Sequence, residues 1–293
     1  MEIQATSADV ICCRPFLPVD RPYLLNIARQ TWNGNDYVPY ILDDWIADSS
    51  GIIFSAVYHG NAVGMIRLSR LSDTQWWLEG LRVDPAIRGR KIGQQLFLHA
   101  LKYYRTQCRG VIRMLTGEKN LVSQHIAEKN HFILRTSLDL YEAAPDADHA
   151  NHLVLASSEH AEDIFAWLNQ LNDHPLLIPY LDYGWVLNAP EKPMIQKLIE
   201  EKKVWINVEN NAVLILQQEF LQGQLDSFIQ AVQPGRLGLT EILTSARRIA
   251  ADRYWQKITW MAPSHEDIHA ALDAAAFLRD PDERVRFYEL VEE

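Results

Sequence analysis

The same order of segments occurs twice in this chain, and that repetition restricts its folds more than any other feature. Residues 52–58 (IIFSAVY) and 62–68 (AVGMIRL) are strand-like runs joined by His59-Gly60-Asn61, a good hairpin turn. Residues 76–83 (WWLEGLRV) read as a third strand, ended by Asp84-Pro85. From Ile92 to about Thr106, apolar residues recur at helical spacing: Ile92, Leu96, Ala100, Tyr103. Arg109-Gly110 stops that helix; residues 111–116 then read as a strand, 120–131 as a short helix and 133–141 as a last strand. A helical region at about 20–46 comes before them. The second half runs through the same plan. Strand-like runs 204–209 and 212–220 flank Asn210-Asn211; then come a strand at 225–234, a helix at 239–254, a strand at 257–263, a helix at 265–277 and a strand at 285–291. Val232-Gln233-Pro234 lies 149 residues after Val83-Asp84-Pro85. Seven elements in one order, with the proline in register, point to an internal duplication.

The fold class expected is therefore α/β (α+β): two mixed sheets flanked by helices, as a pseudo-duplicated tandem. The expected bounds are 1–145 for the first copy and 153–293 for the second, with the polar stretch 146–152 as linker. A length of 293 residues and a composition of 48% hydrophobic and 23% charged suit such a soluble, globular chain. No run of about 18 apolar residues exists, so no membrane span is expected. The opening MEIQATSADVICCRPF has no basic region followed by an apolar stretch, so no secretory leader is read, and cytoplasm is the expected location. Cys12, Cys13 and Cys108 form neither a disulfide framework nor a CxxC metal pair.

Charge narrows the ligand. The net −10 is unevenly spread: residues 1–150 carry 16 Lys/Arg and 16 Asp/Glu, so the second half holds the whole acidic excess. An acidic chain is a poor general nucleic-acid binder, because that binding rests on neutralising phosphates. Within the neutral half the cations gather at residues 78–96, LEGLRVDPAIRGRKIGQQL, where a strand hands over to a helix. A helix N-terminus exposes unpaired N–H groups and the positive end of the dipole. Glycines let a pyrophosphate approach the backbone, and arginines add charge. Arg88, Gly89, Arg90, Lys91, Ile92 and Gly93 fit that device; the plainer alternative is a solvated basic turn capping a helix.

With its surroundings, the motif resembles the acetyl-CoA-binding signature of the GCN5-related N-acetyltransferases (GNAT), Arg/Gln-x-x-Gly-x-Gly/Ala after the fourth strand. The similarity spans roughly residues 12–141, from CRPFLPVDRPYLLNIA to AEKNHF, which resembles the end of the family's second helix. More narrowly, GNDYVPYILDDWIAD (34–48) and LEGLRV (78–83) resemble the histidine N-acetyltransferase-like branch. The resemblance implies that the backbone of Leu81 and Val83, flanking Arg82, holds the thioester arm, that Arg88 to Gly93 hold the pyrophosphate, and that Asn120 joins them. Two positions depart from the pattern. Lys91 stands where a glycine is usual: a negative φ makes that harmless, a positive φ weakens cofactor binding. Ala127 stands where the family often has a tyrosine acid for the leaving thiolate.

The implied reaction needs something to deprotonate an amine. Glu79, one residue before Gly80 on the strand facing the cofactor, is the candidate base or ammonium ligand; otherwise it is an exposed carboxylate paired with Arg82 or Arg113. A backbone N–H of the same strand, that of Leu81, is expected to meet the oxyanion. Asp36 and Tyr37 are candidates for holding a small substrate, or simply turn residues. Trp45, Trp76 and Trp77 read as core or rim. His265-Glu266-Asp267-Ile268-His269 matches H-E-x-x-H, but in a helix's first turn, so no metal is expected. The second copy has only Gly235-Arg236-Leu237-Gly238 at the phosphate loop and Phe228-Ile229 opposite Glu79-Gly80, so it reads as a degenerate partner. The expected function is acetyl transfer from acetyl-CoA to a small-molecule amine, a free amino acid such as histidine first. The rivals are a protein lysine or N-terminal acetyltransferase and a non-catalytic acyl-CoA sensor. The partners expected are the small-molecule amine, no nucleic acid and no membrane, in a monomer or homodimer.

Overall fold

A computed structural model describes residues 10–221 and 224–291. Residues 1–9, part of the stretch read above for a leader, lie outside the described residues. In chain order the elements are β1 (Cys12–Pro15), α1 (Arg21–Arg29), α2 (Val38–Ala47), β2 (Ile52–Tyr58), β3 (Asn61–Arg70), β4 (Gln75–Val83), α3 (Ile92–Gln107), β5 (Val111–Gly117), α4 (Leu121–Lys129) and β6 (Ile133–Ala143). There follow β7 (Val154–Leu155), α5 (Ala161–Asn169), β8 (Leu181–Asp182), β9 (Leu187–Asn188), α6 (Lys192–Glu200), β10 (Val204–Asn207), β11 (Ala212–Leu221) and β12 (Gln224–Gln233). The chain ends with α7 (Leu239–Asp252), β13 (Ile258–Pro263), α8 (Glu266–Ala274) and β14 (Leu278–Val291).

The chain forms two compact units. The first takes the described residues up to Met114, then Leu121–Ile133 and those from Tyr288; the second takes Leu115–Asn120 and Leu134–Phe287. In the first, β1 to β4 pair antiparallel in order, and the turn His59-Gly60 has both residues at positive φ, the conformation that matches strand twist. β5 joins β4 in parallel, but only through Gln75–Trp77 against Val111–Arg113. Pro22 and Pro39 stand in the first turns of α1 and α2, where a missing N–H forfeits no helical bond. Those helices bury Leu24, Ile27, Val38 and Leu42 against Ile53, Ala62 and Met65. α3 lays Ile92, Leu96, Phe97, Ala100 and Leu101 on Phe54, Ile66 and Leu68. Met65 and Ile66, neighbours on β3, thus serve opposite faces, as strand alternation requires. Each such buried Leu, Ile or Phe contributes about 1.5–3 kcal/mol.

The second unit repeats the ladder. β7, β10, β11 and β12 pair antiparallel in turn, and β13 joins β12 in parallel through Ser227–Phe228 against Ile258–Thr259 only. Residues 153–203, for which the sequence suggested no elements, contain α5, α6 and three short strand pieces. The closing strands are where the observed units depart from contiguous bounds. β6, expected to end the first copy, pairs antiparallel with β13 in the second unit, Leu138 to Ala143 against Pro263 to Ile258. Tyr288 and Leu290 of β14 lie instead in the first unit's core, with the Tyr288 hydroxyl donating to Glu128 at 2.8 Å. A duplicated chain offers each closing strand two equivalent slots, and hydrophobic periodicity does not distinguish them. Residues 146–152, expected as a linker, lie inside the second unit: Arg247 meets Asp146 at 3.1 Å and Arg248 donates to the Ala147 carbonyl at 2.6 Å. β14 also starts seven residues earlier than expected, its first turn of strand masked by the polar run LRDPDER.

The H-E-x-x-H residues diverge. His265 caps α8, its Nδ1 accepting from the Asp267 amide at 3.2 Å. His269 Nε2 lies 3.2 Å from Asp139, a carboxylate that Arg279 and Arg284 also grip at 2.7 Å.

Candidate active site

The first unit's site is built on an irregularity in β4. Met65 and Arg67 of β3 face Arg82 and Glu79 of β4, so β4 carries one extra residue, a bulge at Gly80-Leu81. Gly80 has φ +68, and a Cβ there would sit 2.8 Å from the Trp45 indole, so both backbone and neighbour demand glycine. Past the bulge Leu81 and Val83 lie toward α3, where a Cβ on Gly93 would meet them at 3.6–4.0 Å. Glu79 and Arg82 take the other face, beside α2. Because β4 is unpaired with β5 beyond Trp77, its backbone at the bulge stands beside an open parting of the sheet.

Glu79 is not the exposed carboxylate of the plainer reading, nor is it paired with Arg82 or Arg113. Its side chain is 15% exposed. Ser69 donates to its Oε1 at 2.5 Å, and Arg67 Nε lies 3.7 Å from the same oxygen. Burial raises the Glu79 carboxyl above the usual range; the Ser69 bond and the charges of Arg67 and Arg82 oppose that, and Asp48 adds to it. Arg113 is occupied elsewhere, on Glu289 at 2.7 Å and Gln75 at 2.8 Å.

Asp36, Tyr37 and Arg82 come together as one wall of the site. Both Asp36 oxygens accept from the Arg82 guanidinium, at 2.6 and 2.8 Å, and Asp36 also caps the Val38 amide. The guanidinium lies 4.2 Å from the Trp32 ring centre and 5.3 Å from that of Tyr37. Asp36 is therefore engaged in holding Arg82, and the Arg82 head faces Asp36 rather than the phosphate loop. Removing either member leaves a buried charge alone, at about 3–5 kcal/mol. Tyr37 is 42% exposed, and desolvation of its hydroxyl pushes it up to about 12, so it stays protonated.

The loop from Arg88 to Gly93 is exposed up to Lys91 and leads into α3. The first amide bonded within this helix is that of Gln95, to the Lys91 carbonyl, which leaves the amides of Ile92, Gly93 and Gln94 outside the ladder. Arg90 donates to the Tyr58 hydroxyl at 2.7 Å, whereas Arg88 and Lys91 carry no ion pair among the described residues. Lys91 caps α3 with φ +59, the left-handed conformation, at a cost of about 1–2 kcal/mol; this is the positive φ that counts against cofactor binding, set against the cation the lysine adds. Open amides, two unpaired cations, Gly89 with nothing within 4 Å of an added Cβ, and the parting of β4 from β5 suit a pyrophosphate with a narrow arm. Asn120 stands exposed before α4 and belongs to the second unit. Ala127 is fully buried, a methyl group in the core.

Residues 21–132 match the profile described as the acetyltransferase (GNAT) family. The match takes in α1 to α4 and the Arg88–Gly93 loop. The enzyme is thus an acetyl-CoA-dependent N-acetyltransferase, with acetyl-CoA as its acetyl donor. Solved structures similar to the chain share its fold. A GCN5-related N-acetyltransferase from Sphaerobacter thermophilus matches with TM-score 0.63 and 11% identity, over 96% of this chain and 95% of that one. A tandem GNAT protein from the clavulanic acid biosynthesis pathway matches with TM-score 0.56 and 13% identity, over 96% and 98%. A glucosamine N-acetyltransferase region of a fungal multi-domain β-N-acetylglucosaminidase matches with TM-score 0.67 and 13% identity, over 98% of this chain and 39% of that one. No curated protein matches the sequence.

Four residues of the candidate site were missed in the sequence: Arg67, Ser69, Trp45 as a wall, and Asp48. A signal existed for the first two, since Met65, Arg67 and Ser69 alternate onto one face and a buried-strand arginine needs a partner. In the second unit the same bulge recurs, Ile215 and Gln217 facing Ala231 and Phe228 with Gln230 as the extra residue. There the α5–α6 connection lies over the strand parting. Its Leu177, Tyr180, Asp182 and Leu187 meet Gln230, Val232, Trp260 and Pro263 around a cavity of only about 20 Å3, room for one water. A wider depression of about 550 Å3 opens at Gly235 and Arg236, but Arg236 Nη2 is bonded to the Glu209 carbonyl.

Proposed function

We propose that the first unit acetylates the amine of a small molecule, a free amino acid such as histidine first, with Glu79 as the base, and that the second unit takes no acetyl-CoA. The observation that carries this is Glu79 itself: a mostly buried carboxylate with a raised pKa, on the strand bulge, beside the parting where a thioester arm fits. Glu79 Oε2 takes a proton from the acceptor's ammonium; the neutral nitrogen forms the C–N bond as the C–S bond breaks, and the second nitrogen proton leaves with the thiolate as thiol or passes to water. The Leu81 amide is the donor for the oxyanion. Ala127 supplies no acid, and a thiolate leaves readily near neutral pH without one.

A carboxylate-bearing acceptor is supported by Arg67, whose Nη1 is buried without a hydrogen-bond partner. An amine with an oxygen on the adjacent carbon answers both Glu79 and that donor; Tyr37 and Trp45 form the wall such a side chain meets. The resemblance of residues 34–48 and 78–83 to the histidine-specific branch places histidine at the head of the panel. A thiol-release assay comparing histidine with histamine tests this. Histidine should be the better substrate by about 10- to 100-fold in kcat/KM, the worth of one hydrogen bond to a charged group. Equal values for the two, or turnover of a lysine peptide alone, would overturn the amino-acid reading.

A further inference from the structure

Glu79 is the inner end of a hydrogen-bonded chain. At the outer end Asp48, the C-cap of α2, pairs with Arg67 Nη2. Arg67 Nε donates to Ser69 Oγ at 2.7 Å, and Ser69 Oγ donates to Glu79 Oε1 at 2.5 Å. Arg67 is 2% exposed, under the Trp45 ring at 5.1 Å and against Gly51, where a Cβ would fall 2.5 Å from Nη2. Because Ser69 accepts from Arg67, its single proton is directed at Glu79. The Ser69 bond and the Arg67 Nε contact both converge on Oε1, and no hydrogen bond among the described residues engages Oε2. The fold does not need such a chain: the second unit builds the same bulge with Gln217 in place of Arg67 and Phe228 in place of Glu79.

We propose that Asp48, Arg67 and Ser69 are positioning residues that fix Glu79 through Oε1 and set the pH at which Oε2 takes a proton from the acceptor amine. The proposal rests on the reading of Glu79 as base. The charged and titratable groups around Glu79 are Arg67 from β3, Arg82 from β4, and Tyr37 and Asp48 from the two ends of α2. Their signs make the relay testable. The Ser69 bond favours the ionised carboxylate, so losing it raises the pKa; the Asp48 charge disfavours the ionised form, so neutralising it lowers the pKa.

The test is the acidic limb of the kcat/KM–pH profile in four single variants of the full chain. Ser69→Ala should move the limb up by about one pH unit, with rate recovered at higher pH, and Ser69→Thr should restore it. Asp48→Asn should move it down by a smaller amount; its side chain is 40% exposed, so this variant tests the relay even where a buried substitution perturbs folding. Opposite shifts are what a merely structural role does not produce. If both limbs stay in place, or both variants lose rate equally at every pH while Glu79→Gln is inactive, the relay is wrong and Glu79 acts without it. If Glu79→Gln keeps wild-type turnover, the base itself is wrong and the relay falls with it.

Discussion

In the first unit the β3–β4 bulge presents Arg67, Glu79 and Arg82; at the same ladder positions of the second unit stand Gln217, Phe228 and Ala231. The connection between the two N-terminal helices differs as well. Residues 30–37 leave the first unit's site walled by Trp32 and Tyr37, whereas residues 170–191 lie over the strand parting in the second. The backbone device thus recurs in the second unit with different side chains on it. A bulge and a parted parallel pair belong to the fold, and the proposed acetyl-transfer site rests on a few side chains placed on it.

The largest expected contrast is in turnover. Glu79→Gln should lower kcat by about 100- to 10,000-fold, while Phe228→Leu at the matching position of the second unit should leave it unchanged. Comparable losses in the two would mean that both bulges act in catalysis. If instead Glu79→Gln raises only the acceptor's KM, Glu79 binds the ammonium and does not deprotonate it.

Next in size is the bulge itself. Gly80→Ala forces a side chain to φ +68 and a Cβ onto Trp45, so denaturant unfolding should show a loss of about 2–4 kcal/mol. Ile229, its counterpart by the 149-residue offset, already carries a side chain. Wild-type stability of Gly80→Ala would show that the two bulges are equally permissive.

The smallest effect concerns the helix caps. Lys91→Gly should raise stability by about 0.5–1 kcal/mol, because relief of the left-handed lysine exceeds the added freedom of the unfolded chain. Gly238, the N-cap of α7 at φ +97, should show the reverse when changed to lysine. Matching signs in the two would remove the strain assigned to Lys91.

Much of this was legible in the residues. The duplication, the seven elements and the Arg88–Gly93 loop follow from period, turn chemistry and proline register. Glu79 was legible as a candidate because it precedes Gly80 on the strand, but its partners were not: Arg67 and Ser69 lie ten and more residues away and meet it through ladder register, which composition does not encode. The engagement of Asp36 with Arg82 is hidden for the same reason, since it joins residues 46 apart. The exchange of β6 and β14 was invisible because strand periodicity does not say which copy a closing strand pairs with.

The central claim is that acetyl-CoA is handled by the first unit alone, and calorimetric titration of the full chain with acetyl-CoA tests it directly. One site per chain is expected. Arg88→Glu should weaken binding by about 10- to 100-fold, and Arg236→Glu should leave it unchanged. Two equal sites, or a dissociation constant that responds to Arg236 and not to Arg88, would contradict the account.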